Sequence, residues 1–137
     1  MAPQTKRHRK PAISLTRTDH ARLSRLAEAH ALRNPTVSEE LLMELDRARV
    51  VPDSSIGLDV VRMGSTVRFT SDLGEDRTVT VVFPGEADIA ANKISILTPI
   101  GAALIGLSAG QSIDWVARDG RQHRLQVEHV EVTEFAS

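Results

Sequence analysis

The chain of 137 residues has no cysteine and no tyrosine, and its only aromatic residues are Phe69, Phe83, Trp115 and Phe135. Without cysteine, disulfides, thiolate chemistry and Cys-based zinc sites are excluded. With so few aromatic rings, the core has to be built from Val, Ile, Leu and Ala. No apolar run approaches the roughly 20 residues of a membrane helix, and the amino terminus has no hydrophobic signal region. These absences predict a cytoplasmic protein with no membrane partner. Gly-x-Ser-x-Gly, P-loop and Gly-x-Gly-x-x-Gly patterns are all missing, so nucleophile elbows and phosphate cradles have no support. His8, His20, His30, His123 and His129 form no i, i+4 pair and meet no carboxylate at a metal-motif spacing. The expectation is therefore no metal, no cofactor, no small-molecule substrate, no catalytic residue and no enzymatic activity.

What is present is ordinary in amount and uneven in placement. Apolar residues are 41% and charged residues 26% of the chain, which is normal for a soluble globular protein. The length leaves room for one domain, or a small domain with an appendage. The net charge of −1 resolves into +4 over residues 1–10, 0 over 11–51 and −5 over 52–137. An acidic body repels phosphates and makes a poor general nucleic-acid binder, so no specific DNA binding is expected. Residues 1–12, with Lys6, Arg7, Arg9 and Lys10, read as a disordered basic tail. The tail is either a solvated segment or a contact for nucleic acid or an acidic surface.

Helical periodicity follows. Leu23, Leu26, Ala27 and His30 form a stripe behind a cap at Thr16 or Thr18, with Asp19 in the first turn. Arg33-Asn34-Pro35 breaks this helix, because Pro35 disfavours helical backbone at Asn34. Thr36-Val-Ser-Glu39 matches a capping box, and Val37, Leu41, Leu42, Leu45 and Ala48 continue a second stripe. The pair predicts an antiparallel helical hairpin over 13–51, each arm roughly 20 Å long at 1.5 Å per residue. Residues 52–64, with Pro52, Ser54, Ser55 and Gly57, read as a linker.

From Thr66 the period changes to two. Thr66–Thr70, Arg77–Phe83, Ile94–Leu97, Ser112–Arg118 and Gln122–Val132 read as strands, with Asp119-Gly120 as a hairpin turn between the last two. The longest patterned phrase is Lys93-Ile-Ser-Ile-Leu-Thr-Pro-Ile-Gly-Ala-Ala-Leu-Ile-Gly-Leu107. Pro99 fits the first helical position, where no N–H is needed, and Gly106 fits a left-handed helix stop. The fold class is α+β: a short helical hairpin, then a small antiparallel sheet over 65–137 carrying one short helix. Ala102, Ala103, Leu104 and Leu107 are candidate core, and Trp115 is expected half-buried against the sheet.

Three phrases carry a family resemblance: Glu44-Leu-Asp-Arg-Ala48, Asp59-Val-Val-Arg-Met-Gly-Ser-Thr-Val-Arg-Phe69 and Ile96-Leu-Thr-Pro-Ile-Gly-Ala-Ala-Leu-Ile-Gly-Leu107. Together they resemble the regulator of nucleoside diphosphate kinase (Rnk) family, which shares the carboxy-terminal domain of the Gre-type transcript cleavage factors. The resemblance implies an FKBP-like sheet and a coiled-coil arm. It implies docking on RNA polymerase, on the tip of a coiled coil of the largest subunit at the rim of the secondary channel, through positions matching Leu97, Thr98 and Pro99. The Gre pattern has an acidic residue where Leu97 stands.

Gre-type factors stimulate transcript cleavage with paired carboxylates at the tip of a coiled coil about twice as long as this hairpin. The tip here is Arg33, Asn34 and Pro35, with Glu39 and Glu40 a turn into the second helix. Metal ligands must sit about 2 Å from the ion, so the expectation is a polymerase-binding regulator without cleavage activity, acting on nucleoside diphosphate kinase indirectly. The alternatives are a true cleavage factor working through Glu39 and Glu40, or an interaction domain unrelated to polymerase. The prolyl isomerase activity associated with FKBP folds is not expected, because such a pocket needs several aromatic walls.

Overall fold

The computed structural model describes residues 11–116 and 120–131. The basic tail at 6–10, Asp119 of the expected hairpin turn and Phe135 lie outside the described residues.

The chain opens with β1 (Ser14–Thr16), followed by α1 (Arg17–Ala29), α2 (Pro35–Arg47) and β2 (Arg49–Val51). Strands β3 (Thr66–Ser71), β4 (Asp76–Val82) and β5 (Lys93–Ser95) come next, then α3 (Pro99–Leu104), β6 (Ser112–Val116) and β7 (Gln122–Glu131). Thr16 caps α1 by accepting the Asp19 N–H at 3.0 Å, as a β-region N-cap does. Helix α2 starts earlier than the capping box implies. Asn34 is its N-cap and Pro35 its first residue, since proline is pre-organised for that position. Thr36 and Glu39 therefore lie inside the helix, and the expected box does not form.

The five-stranded sheet runs β5-β4-β3-β7-β6. It is mostly antiparallel, but β4 and β5 pair in parallel, with Val81 opposite Ile94. The expectation of a purely antiparallel sheet is corrected here. Two short helical turns, Pro84–Glu86 and Ile89–Ala91, carry the chain back so that β5 enters in the same direction as β4. A bulge on β7 sets Arg68 opposite His129 but Phe69 opposite Val127, leaving Glu128 as the extra residue that locally bends the strand. Strand β5 is also shorter than expected. Ile96 lies beyond it, buried, with its N–H on the Val82 carbonyl at 2.8 Å.

The hairpin and the sheet share one core. Leu23, Ala27, Leu41 and Leu45 from the helices belong to the same buried cluster as Val67, Phe69, Val81, Leu104, Ile113 and Leu125. The base of the hairpin is a third, unexpected feature. Strands β1 and β2 pair in parallel, Leu15 opposite Val50. The Ser14 N–H then reaches the Gly106 carbonyl at 3.1 Å, and the Gly106 N–H reaches Val61 at 2.9 Å. Gly106 has φ +82°, and a Cβ there would stand 2.9 Å from the Ile13 Cβ, so only glycine fits. Asp19, 5% exposed, accepts the Met63 N–H at 3.0 Å and an Arg22 N–H at 2.8 Å, and Arg22 lies 4.8 Å over the Phe83 ring. These bonds fix the direction in which the hairpin leaves the sheet.

Candidate docking site

The segment from Ser95 to Ala102 is a tightly bonded turn. The Ser95 Oγ accepts the Leu97 N–H at 2.9 Å, and the Ser95 carbonyl accepts the Thr98 hydroxyl at 2.7 Å. Thr98 Oγ1 in turn accepts the Gly101 N–H at 3.1 Å and thereby caps α3. A Cβ on Gly101 would sit 2.4 Å from the Ser95 carbonyl oxygen and 2.9 Å from the Ile96 Cα, so α3 can approach β5 this closely only because residue 101 is glycine. Ala102, Ala103, Leu104 and Leu107 are buried beneath the turn. Leu97, Thr98, Pro99 and Ile100 remain half-exposed above it. The result is a rigid, outward-facing corner.

Two concavities flank this corner. One, of about 580 Å³, is floored by Ile94, Pro99, Ile100 and Trp115, with Glu75, Arg77 and Lys93 among its polar walls. Leu73 and Ile89 stand at its edge, Ile89 being 86% exposed. The other, of about 240 Å³, is a cleft between α2 and β6, with Glu40, Met43 and Glu44 on one wall and Ile113, Asp114 and Trp115 on the other. Pro99 and Trp115 belong to both. Trp115 is 9% exposed, more deeply covered than its position on an alternating strand implied; α3 packs against β6 and the His123 ring lies against the indole.

The hairpin apex is built differently. The His30 carbonyl accepts both the Arg33 N–H at 3.1 Å and the Asn34 N–H at 2.9 Å, and Asn34 makes no side-chain cap bond. Leu32 is 98% exposed, and Arg33, Asn34 and Pro35 are exposed with it. Glu39 is exposed on α2, whereas Glu40 is half-buried and walls the cleft beside Pro99. The fold thus joins Glu40 to the corner at Pro99 and leaves the apex without a carboxylate from Ala31 to Thr36. Among the described residues, no three His, Asp or Glu side chains are grouped to hold a metal ion, and no helix is long and apolar enough to cross a membrane.

The perturbed carboxyls lie elsewhere. Asp53 is held below its ordinary range by hydrogen bonds from the Thr18 hydroxyl and then the Thr18 N–H, and Asp76 by its two bonds from Arg68. Sequence reasoning missed Asp19, Ile89 and the Trp115 cleft. Asp19 reads as a routine first-turn acid, and nothing local marks its partner 44 residues away.

The pattern described as Transcription elongation factor, GreA/GreB, C-term matches residues 55–132, and that described as Rnk N-terminus matches residues 11–51. The Regulator of nucleoside diphosphate kinase of Escherichia coli (strain K12) is 36% identical over 124 residues, covering 89% of this chain and 90% of that protein. The chain belongs to the Rnk family, with a GreA/GreB C-terminal domain. Transcription elongation factor GreA of Rhodospirillum rubrum is 41% identical over 115 residues, covering 80% of this chain and 73% of that protein. Among solved structures, a prokaryotic transcription elongation factor GreA/GreB from Nitrosomonas europaea superposes with a TM-score of 0.69 at 39% identity, covering 89% of this chain and 99% of that one. In family terms, the apex falls within the Rnk N-terminal match and the Ser95–Ala102 turn within the Gre match.

Proposed function

We propose that this chain binds RNA polymerase at the rim of the secondary channel and modulates transcription without cleaving the transcript. The observation that carries the reading is the Leu97-Thr98-Pro99 corner: it is held by five hydrogen bonds from Ser95 to Ala102, half-exposed, and set beside an apolar concavity. A preorganised exposed turn binds with little ordering cost. The same reading takes the sheet as FKBP-like, the hairpin as a short coiled coil that partly fills the channel, and the partner surface as the polymerase largest subunit. Glu39 and Glu40 are the fifth and sixth residues of α2, roughly 6–8 Å from its start at 1.5 Å per residue. Neither crowns the apex, so neither presents a metal-binding pair ahead of the hairpin. The effect on nucleoside diphosphate kinase named in the E. coli relative is then indirect, through expression.

The test is binding to purified core RNA polymerase in competition with a Gre-type factor, for the wild type and for Thr98→Asp. Aspartate can still accept the Gly101 N–H as a cap but cannot donate to the Ser95 carbonyl as the Thr98 hydroxyl does, so the corner gains a charge and loses one bond, and circular dichroism must show that the variant keeps its fold. Mutual exclusion by the wild type and at least about tenfold weaker binding by Thr98→Asp are expected, the loss of one well-packed contact at an interface centre. Absence of binding at micromolar concentration sinks the polymerase reading. Transcript hydrolysis in stalled complexes that Glu39→Gln and Glu40→Gln abolish would replace it with a cleavage factor.

A further inference from the structure

Residues 1–10 lie outside the described residues, but the place where they leave the body is set by two side chains. Arg47 donates from one terminal nitrogen to the Pro11 carbonyl and from Nε to Glu44 at 2.9 Å. The Gln111 side-chain amide donates to the Ala12 carbonyl at 3.2 Å. Arg47 ends α2, and Gln111 immediately precedes β6. These are the two elements that wall the cleft of about 240 Å³ beside Pro99. The chain before Pro11 therefore leaves the body between the ends of the two cleft walls.

Charge and reach fit that exit. Residues 1–10 carry +4, from Lys6, Arg7, Arg9 and Lys10. Helix α2 carries −3, with Glu39, Glu40, Glu44 and Asp46 set against Arg47. The cleft lining holds the carboxylates of Glu40, Glu44 and Asp114, the amide of Gln122, and no Lys, Arg or His. Glu40 and Glu44 already have partners, and Asp114 lies 3.4 Å from Arg124. A carboxylate offers about four acceptor positions, and the pull on a cation comes from the helix's surplus of negative charge, not from a vacant group. From Arg47 to Glu40 the α2 wall rises about 10 Å at 1.5 Å per residue. Three or four extended residues cover that span at roughly 3.3 Å each. Pro11 favours extended backbone at Lys10. In an extended segment Arg7 and Arg9 point the same way, about 7 Å apart, and Glu40 and Glu44 stand one turn apart, about 6 Å.

We propose that the basic tail of this chain is the occupant of the cleft. Residues 6–10 run back along α2, with Arg9 at Glu44 and Arg7 at Glu40, and their aliphatic stems lie over Met43 and Ile113. The tail then covers the α2 side of the Pro99 corner, and a partner that reaches across the corner has to displace it. That consequence rests on the polymerase reading above; the self-docking does not.

The chain has no cysteine, so Thr5→Cys gives the full chain a single attachment point for a nitroxide, read through its backbone amide signals by nitrogen-15 NMR. At low salt the Met43, Glu44 and Asp114 signals should lose at least about half their intensity relative to the reduced label, as a docked tail keeps the nitroxide close. Adding Arg7→Gln and Arg9→Gln together should restore them, as should salt at about 1 M, where charges are screened within about 3 Å. Unchanged signals in the labelled chain, or a loss that the double glutamine variant retains, overturn the docking. Loss of signal in enriched, unlabelled chain mixed with labelled, unenriched chain assigns the tail to a second copy and overturns the same-chain assignment. The double glutamine variant should also bind core RNA polymerase more tightly, about fivefold for a tail that covers the cleft roughly four-fifths of the time. Weaker binding by that variant makes the tail a contact of the partner and overturns its covering role. If the wild type does not bind polymerase, the polymerase reading and the covering role fail, and the nitroxide measurement still decides the docking.

Discussion

Two helices in this protein begin with proline at an exposed corner, and they are built to opposite standards. At α3 the N-cap Thr98 both donates to Ser95 and accepts from Gly101, over a floor of buried alanine and leucine. At α2 the N-cap Asn34 makes no side-chain bond, and its neighbours Leu32, Arg33 and Pro35 face solvent. The difference is one of support. A corner that must match a partner surface has to hold its shape before contact, whereas an apex that projects into open space needs only length and direction. Direction is supplied at the other end of the hairpin, by the β1–β2 pair, Gly106 and Asp19.

The largest expected effect that tests this contrast is at Gly101. Gly101→Ala should destabilise the chain by about 3 kcal/mol in urea unfolding, as overpacking against fixed backbone does, and should weaken polymerase binding as the corner shifts. A Gly101→Ala chain as stable as wild type would mean that the corner is soft and the contrast wrong. A smaller, paired effect compares the two caps. Thr98→Ala should cost about 1 kcal/mol, and Asn34→Ala only a few tenths, because the second removes no cap bond. Equal losses would show that the caps are equivalent.

The smallest effect lies at the hairpin base. The Asp53 carboxyl is stabilised in its charged form by Thr18, so its folded pKa is below its unfolded value. Its contribution is therefore present above about pH 4 and is lost as pH falls through the folded pKa. Asp53→Asn should be slightly less stable than wild type at neutral pH, and the gap should close in acid. Because the group is exposed, the gap should be small and reduced by salt; a gap that persists in acid would assign the effect to lost packing rather than charge.

Much of this was legible in local chemistry. Thr98, Pro99 and Gly106 declare a capped, proline-started short helix and its stop, and the structure places them so. The leucine stripes at Leu23 and Ala27 and at Leu41 and Leu45 give the two helices and their buried faces. The parallel entry of β5 was not legible. Its three residues look like any short strand, and its direction is set by the two helical turns that precede it. The false capping box shows the same limit in another form: Thr36 and Glu39 have the right spacing, but Pro35 fits the first helical position and moves the cap to Asn34.

By itself the sequence determined the three helices and the five strands of the main sheet, the order of helical hairpin before sheet, the corner at Leu97–Pro99 and the family to which the chain belongs, but not the β1–β2 pair. These depend on periodicity, caps and glycines, all of which act within a few residues. Tertiary structure alone decided that Asp19 pins the hairpin through Met63, that Glu40 turns toward Pro99 and away from the apex, and that Trp115 walls a cleft opposite α2. Each of those facts joins residues far apart in the chain, and such contacts are chosen by how faces pack together, which no local pattern encodes.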